Sequence, residues 1–183
     1  MLMNGIPSFR LEKDVINAEI DVLREMGVEF KCGVEVGEDI TIAQLREQGY
    51  KAFYIAIGAQ GGRMTGVPGE DAVGVETGVD FLRRVNLNEE GVKLSGKTVV
   101  IGGGNVAVDV ARTALRTGSS DVSMFCLESR DIMPAADDEV AEAEEEGIVV
   151  NNSWGPKEIL TENGKVTAVV FKKCISVLDE NKR

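Results

Sequence analysis

Residues 97–118 read "KTVVIGGGNVAVDVARTALRTG", and no other stretch constrains the fold as tightly. The β-branched run Thr98–Ile101 predicts a strand. It passes through three glycines into a helix predicted over 105–117. Gly102, Gly104 and Ala107 fit G-x-G-x-x-G/A, a pattern that is weak alone and stronger in a strand–turn–helix setting. Gly102 permits a tight turn out of the strand, Gly104 removes a Cβ from the path of a pyrophosphate, and Ala107 lets the helix pack close to the strand. Gly103 and Asn105 are expected to tolerate unusual backbone angles in the turn. The helix start offers N–H groups and a partial positive charge to phosphates. Gly102, Gly103, Gly104, Asn105, Val106 and Ala107 are therefore the candidate dinucleotide contacts. A turn of this kind without a ligand is the competing reading. A methyltransferase turn is a second, opposed by Ile101 where an acidic residue would favour it.

The segment continues as a strand over 121–127, a helix over about 137–146 and a strand over 148–152. Strands alternating with helices predict a parallel sheet with right-handed crossovers. "PKEILTEN" and "KVTAVVFKKCISVLD" flank Asn163-Gly164, a hairpin signal. Upstream, 11–26 predicts a helix with an apolar face ended by Gly27, 28–34 a short strand, 39–49 a small helix closed by Gly49, and "YKAFYIAIGA" a buried strand. "GAQGGRMTGVPGEDAVGV" has the composition of a linker and precedes a short helix near 77–85, so a boundary falls between Gly58 and Gly96.

In a dinucleotide fold, an acidic residue about 20 positions past the glycines accepts hydrogen bonds from the adenosine ribose 2′-OH. Glu128 lies 21 residues after Ala107, just past "DVSMFCL". It favours NAD(H) over NADP(H), because a 2′-phosphate 4 Å away would meet repulsion of about 4 kcal/mol at an effective dielectric of 20. Ser129 and Arg130 complete the candidate adenosine end. Arg130 complicates the choice, since an arginine can pair with a 2′-phosphate and Glu128 could instead turn to pair with Arg130. Asp109 and Arg112 read as a charge pair along one helix, Cys126 as a core residue, and "DDEVAEAEEE" as a solvated acidic face.

Composition narrows the chemistry. The 183 residues carry a net charge of -11, which opposes a nucleic-acid partner and an anionic membrane surface. No apolar run is long enough to span a bilayer, and the N-terminus lacks a signal-peptide core. There is no histidine, so histidine acid–base chemistry and ligation are excluded. Three dispersed cysteines form no C-x-x-C motif, which is consistent with a reducing cytoplasm and offers no metal or cluster ligand set.

Five blocks, "NGIPSFRLEKDVINAEI", "AFYIAIGAQ", "GVPGEDAVGVETGVDFLRRVN", "VVIGGGNVAVDVARTALRTG" and "SRDIMPAADDE", resemble in order and spacing the small (β) subunit of glutamate synthase. They resemble equally its relatives among FAD-containing NAD(P)H oxidoreductases, including the N-terminal half of dihydropyrimidine dehydrogenase. The resemblance implies an α/β fold of the two-dinucleotide-binding-domain flavoprotein type. It implies a Rossmann-like NAD(P)-binding domain, with a parallel sheet plus a β-hairpin, over 76–183 and C-terminally truncated. Residues 1–75 would be a partial FAD-domain segment and linker. It further implies hydride transfer from NAD(P)H to FAD and onward passage through iron–sulfur clusters. Partners would be a nicotinamide dinucleotide, the missing FAD-domain segments and a large catalytic subunit. On this reading the chain is an internal fragment, expected to lack FAD and to be inactive alone. The alternative is a non-catalytic nucleotide-binding or assembly module. Gly58 falls at the family's "ATG" strand end, here Ala56-Ile57-Gly58, where the usual threonine hydroxyl is lost. Met133, Pro134 and Ala135 line the dinucleotide by resemblance, or form a rigid turn. NADPH-using members often carry an arginine pair after the second strand, where this chain has Leu127-Glu128-Ser129-Arg130.

Overall fold

The computed structural model describes residues 1–88 and 91–177. These fall into two compact units, Leu11–Ala59 and Met1–Arg10 together with the chain from Gln60 on.

The larger unit is built on a three-stranded parallel sheet in the order β1-β2-β3: β1 (Lys97–Ile101), β2 (Asp121–Cys126) and β3 (Val149–Asn152). Val100 pairs with Met124, and Phe125 with Asn151. Helix α4 (Asn105–Arg116) follows β1, and α5 (Asp137–Glu145) follows β2, so the expected alternation and parallel sheet are present. One face of the sheet is sealed by α4, whose Val108, Ala111 and Ala114 are fully buried against Val100, Val122 and Met124. The spacing of three residues keeps this stripe on one side of the helix. Burying a valine here contributes about 1.5–2 kcal/mol. The two alanines let α4 lie close, so a larger side chain at Ala111 would overpack the seam by about 1–3 kcal/mol. Helix α3 (Gly78–Leu87) adds Phe81, Leu82 and Val85 to the same core. It starts on Thr77, whose hydroxyl accepts the Asp80 N–H at 3.3 Å.

The hairpin expected around Asn163-Gly164 forms from β4 (Trp154–Glu162) and β5 (Lys165–Lys173). Both turn residues take positive φ, 51° and 75°, as a tight two-residue turn requires. The strand expected to run to Asp179 ends at Lys173, and residues 178–183 lie outside the described residues. Phe171 of β5 stacks on Phe125 of β2, ring centroids 3.9 Å apart, and so docks the hairpin on the second face of the parallel sheet.

The N-terminal segment crosses the outside of α4 and α5. The Arg10 guanidinium hydrogen-bonds the Asp109 carboxylate and reaches Glu139 at 2.9 Å, while the Phe9 ring lies 4.8 and 4.1 Å from the Arg112 and Arg116 guanidinium carbons. Arg112, itself buried, binds Glu142 at 2.5 Å and Glu146 at 2.6 Å, and Arg116 binds Glu146 at 2.6 Å. Asp109 and Arg112 therefore make no ion pair with each other, and four carboxylates of the acidic stretch, Glu139, Glu142, Glu144 and Glu146, are paired with arginines rather than merely solvated. The three-residue spacing suits a pair along one helix, but each residue meets a partner from elsewhere in the chain, Asp109 the N-terminal Arg10 and Arg112 the carboxylates of Glu142 and Glu146.

In the smaller unit, α1 (Lys13–Glu25) and α2 (Ile42–Glu47) form near their expected positions, α2 with a Thr41–Gln44 capping box. Of the α1 residues only Ile16 is buried. The strands expected at 28–34 and in "YKAFYIAIGA" are not regular β-structure. A strand needs a neighbour to complete its ladder, and among the described residues neither run has a paired strand. Tyr54, Ile55 and Ile57 are instead 94%, 78% and 82% exposed.

Candidate dinucleotide-binding site

The glycine turn sits at the C-terminal end of β1. Gly102 has φ 144° and donates its N–H to the Phe125 carbonyl at 2.9 Å, which ends the strand while keeping it tied to β2. A Cβ on Gly102 would lie 3.2 Å from that of Ala107, so the small residue at 107 and the glycine at 102 are one steric requirement. Gly103 and Asn105 have ordinary negative φ, so the expected unusual backbone angles are not what these positions need. Gly103 is needed for its lack of a side chain. A Cβ there would lie 2.9 Å from the Cβ of Cys126 and 2.9 Å from the Glu128 Oε2. Asn105 is needed for its side chain, whose Oδ1 accepts the Ala136 N–H at 2.9 Å. The Ala135 N–H donates to the Gly103 carbonyl at 3.0 Å. Two hydrogen bonds thus fasten the loop after β2 against the turn, and Met133, Pro134 and Ala135 belong to that clamped loop.

At Gly104 the surroundings change: a Cβ would meet nothing within 4 Å. The Gly104 carbonyl accepts from Ala107 at 2.9 Å and from Val108 at 3.3 Å. Among the described residues no acceptor faces the N–H groups of Gly104, Asn105 or Val106. These are the unpaired donors of a helix start, with the positive end of the helix dipole behind them. Asn105 and Val106 are exposed. An open cleft of about 820 Å³ runs from this turn along the uncovered edge of β1, between α4 and the hairpin, past Phe81, Ile159 and Val166. Its end at Gly102–Val106 presents the helix-start N–H groups; the rest mixes aliphatic side chains such as Val99, Val110, Ile159 and Val166 with the charged Arg63, Lys97, Glu70 and Glu76.

The adenosine end of the candidate site comes from the tip of β2. The Glu128 carboxylate lies against Gly103, as the near contact to Oε2 shows. Its backbone carbonyl is held by the Ser153 N–H at 2.9 Å and by Asn152 Nδ2 at 3.3 Å. Asn152 also donates to the Cys126 sulfur at 3.2 Å. Cys126 is a core residue, and burial, with the Glu128 charge, pushes its thiol pKa up. The Ser129 hydroxyl hydrogen-bonds the Asp131 carboxylate and holds its pKa below the usual range. Arg130 does not pair with Glu128. It makes a two-pronged ion pair with Glu144 in the last turn of α5, both contacts 3.2 Å. Gly58, with φ 70°, belongs to the smaller unit, apart from the other nine candidate positions. Asn152, Ala135 and Ala136 support the site but carry no motif. Their roles rest on backbone contacts across sequence separations of 24 to 32 residues, which periodicity does not register.

Comparison with known proteins agrees with this architecture. Residues 33–178 match the pyridine nucleotide-disulphide oxidoreductase family. The small chain of NADPH-dependent glutamate synthase from Halomonas elongata is 37% identical over 193 aligned residues, covering 100% of this chain and 40% of that protein. The NAD-dependent dihydropyrimidine dehydrogenase subunit PreT of Escherichia coli O157:H7 is 36% identical over 166 residues, covering 91% of this chain and 39% of that protein. The chain thus spans about two fifths of the length of these curated relatives. The resemblance read from the five sequence blocks is borne out. Among solved structures, Mycobacterium tuberculosis FprA in complex with NADPH has the same fold, with a TM-score of 0.73 at 21% identity, covering 94% of this chain and 54% of that one. By its sequence and by the fold of its larger unit, this chain belongs to the pyridine nucleotide-disulphide oxidoreductase family.

Proposed function

We propose that this chain is the nicotinamide-dinucleotide-binding portion of a flavin-dependent NAD(P)H oxidoreductase of the glutamate synthase small-subunit type. The observation that carries the reading is the turn at Gly104. Its unfilled space and the acceptorless N–H groups of Gly104, Asn105 and Val106 fit a pyrophosphate, and a Cβ at 104 would occupy the same volume. Gly102 and Ala107 hold the turn close to α4, and the loop bonds from Ala135 and Ala136 fix its shape before any ligand arrives. A dinucleotide whose pyrophosphate is held there would supply a hydride to the FAD of the parent enzyme, with onward transfer through iron–sulfur clusters part of the same proposal. This segment contributes binding and orientation, and no acid, base or nucleophile.

Glu128 beside Gly103 favours NAD(H). Its carboxylate suits a ribose 2′-OH and opposes a 2′-phosphate. The relatives include both an NADPH and an NAD enzyme, so the preference rests on local charge. We further propose a division near residue 75, with FAD contacts in the upstream part including Gly58, and a cytoplasmic parent enzyme. No helix among the described residues is long and apolar enough to cross a membrane. Titration of the 183-residue chain with NADH, followed by amide chemical shifts, tests the reading. Shifts concentrated at 102–107 and 128–130 are expected. Saturating NADH with those amides unmoved would overturn it.

A further inference from the structure

We infer that Glu144, in the last turn of α5, helps set the coenzyme preference by holding Arg130 away from the adenosine 2′ position. This rests on the dinucleotide reading of the glycine turn. Arg130 is two residues past Glu128 and is the cation nearest in sequence to the adenosine end. A guanidinium free at that point would offer a 2′-phosphate a paired, charge-assisted contact. In the structure both of its terminal nitrogens instead engage both Glu144 oxygens, each at 3.2 Å.

The placement of Glu144 makes this a diversion. The N-terminal end of α5 is the end fastened to the glycine turn, through the Ala136 N–H and Asn105. Glu144 is eight residues further on, about 12 Å along the helix axis at 1.5 Å per residue. An arginine that keeps both terminal nitrogens on Glu144 does not present them to a 2′-phosphate. Glu144 has its own reason to keep the cation. The last turn of α5 carries no basic residue, and a carboxylate there opposes the negative end of the helix dipole. Arg130 supplies the missing positive charge from outside the helix. Two carboxylates therefore act in the same direction: Glu128 repels a 2′-phosphate, and Glu144 withholds the residue that would attract one.

The test uses the 183-residue chain and four titrants: NADH, NADPH, ADP-ribose and 2′-phospho-ADP-ribose. Glu144→Gln keeps the size of the side chain at an exposed position and removes the ion pair. The NADPH-to-NADH affinity ratio is expected to rise roughly fivefold in Glu144→Gln, the scale set by an exposed ion pair, with NADH affinity changed less than twofold. The two ADP-ribose probes should show the same ratio change, which places it at the adenosine end. Arg130→Ala combined with Glu144→Gln should abolish the gain. A purely structural role for the pair would change melting temperature without moving the ratio. Binding of both coenzymes with an unchanged ratio in Glu144→Gln, or an equal rise in the double variant, would overturn the inference while leaving the dinucleotide reading intact. Failure of all four titrants to bind the unmutated chain would overturn the dinucleotide reading itself, and the inference with it.

Discussion

Asn105 accepts the backbone N–H of Ala136 through its side-chain oxygen, at 2.9 Å, and so joins the first residue of α4 to the residue that precedes α5. Together with the bond from Ala135 to Gly103, this closes a small ring around the glycine turn. Asn105→Ala leaves the Ala136 N–H without its partner, at a cost of about 1 kcal/mol. A melting temperature lower by about 2–4 °C is expected for a chain of this size. Weaker NADH binding should accompany it, because the turn loses one of its two fastenings.

Adjacent glycines should respond in opposite ways. Gly103→Ala forces a methyl group against the Cys126 Cβ, which sits in the sheet and cannot swing aside. The expected loss is about 1–3 kcal/mol of stability, read by urea denaturation. Gly104→Ala meets nothing in the protein. Its stability cost should stay below about 1 kcal/mol, while NADH binding falls by at least tenfold because the new methyl group fills the proposed phosphate volume. Equal stability losses with unchanged binding would remove the phosphate reading of Gly104.

Replacing the charge at the tip of β2 should exchange the coenzymes. Glu128→Gln takes away a negative charge beside Gly103. NADPH affinity is expected to rise about tenfold, within the Coulomb scale for one unit charge near 4 Å, and NADH affinity to fall severalfold. Calorimetric titration of both coenzymes reads this directly. NADPH binding more tightly than NADH to the unmutated chain would reverse the preference.

Acid stability should be governed by Glu146. Hydrogen bonding from Arg116, and then from Arg112, brings its pKa down to about 2. A carboxylate depressed in the folded state contributes stability that is fully present above its unfolded value of 4.5. That contribution is lost as the pH falls through about 2. Asp109 works the other way: burial raises its pKa against the opposing Arg10, so protonating it relieves a cost. Melting temperature should therefore decline as the pH falls from about 4.5 to about 2, with a shallower decline in Glu146→Gln. A slope unaffected by that substitution would assign the acid response to other groups.

The readable part of this chain is the part where each strand finds its neighbour one helix later. In β1, β2 and β3 the apolar pattern, the glycine turn and the helical spacing of Val108, Ala111 and Ala114 all point to one parallel sheet, and local and tertiary requirements agree. "YKAFYIAIGA" carries an equally strong strand pattern. Apolar content records a preference for burial, however, and without a paired neighbour Ile55 and Ile57 stay exposed. Arg10 lay beyond sequence reasoning for another reason. Its partners Asp109 and Glu139 are 99 and 129 residues away, and charge alone does not specify which carboxylates an arginine will meet. The purpose of Gly103 was equally hidden, because its constraint is the Cβ of Cys126 on the next strand.

The chain has one tryptophan, Trp154, at the root of the hairpin, with the Lys173 ammonium 4.9 Å from its ring. Indole emission from this protein is thus a local probe of where β4 and β5 join, quenched or shifted by the neighbouring cation. Far-ultraviolet dichroism reports α3, α4 and α5 of the larger unit together with α1 and α2 of the smaller one. Unfolding curves recorded by the two signals will superimpose only if the hairpin and the sheet melt as one cooperative body, so a simple pair of optical traces measures how firmly Phe171 holds Phe125.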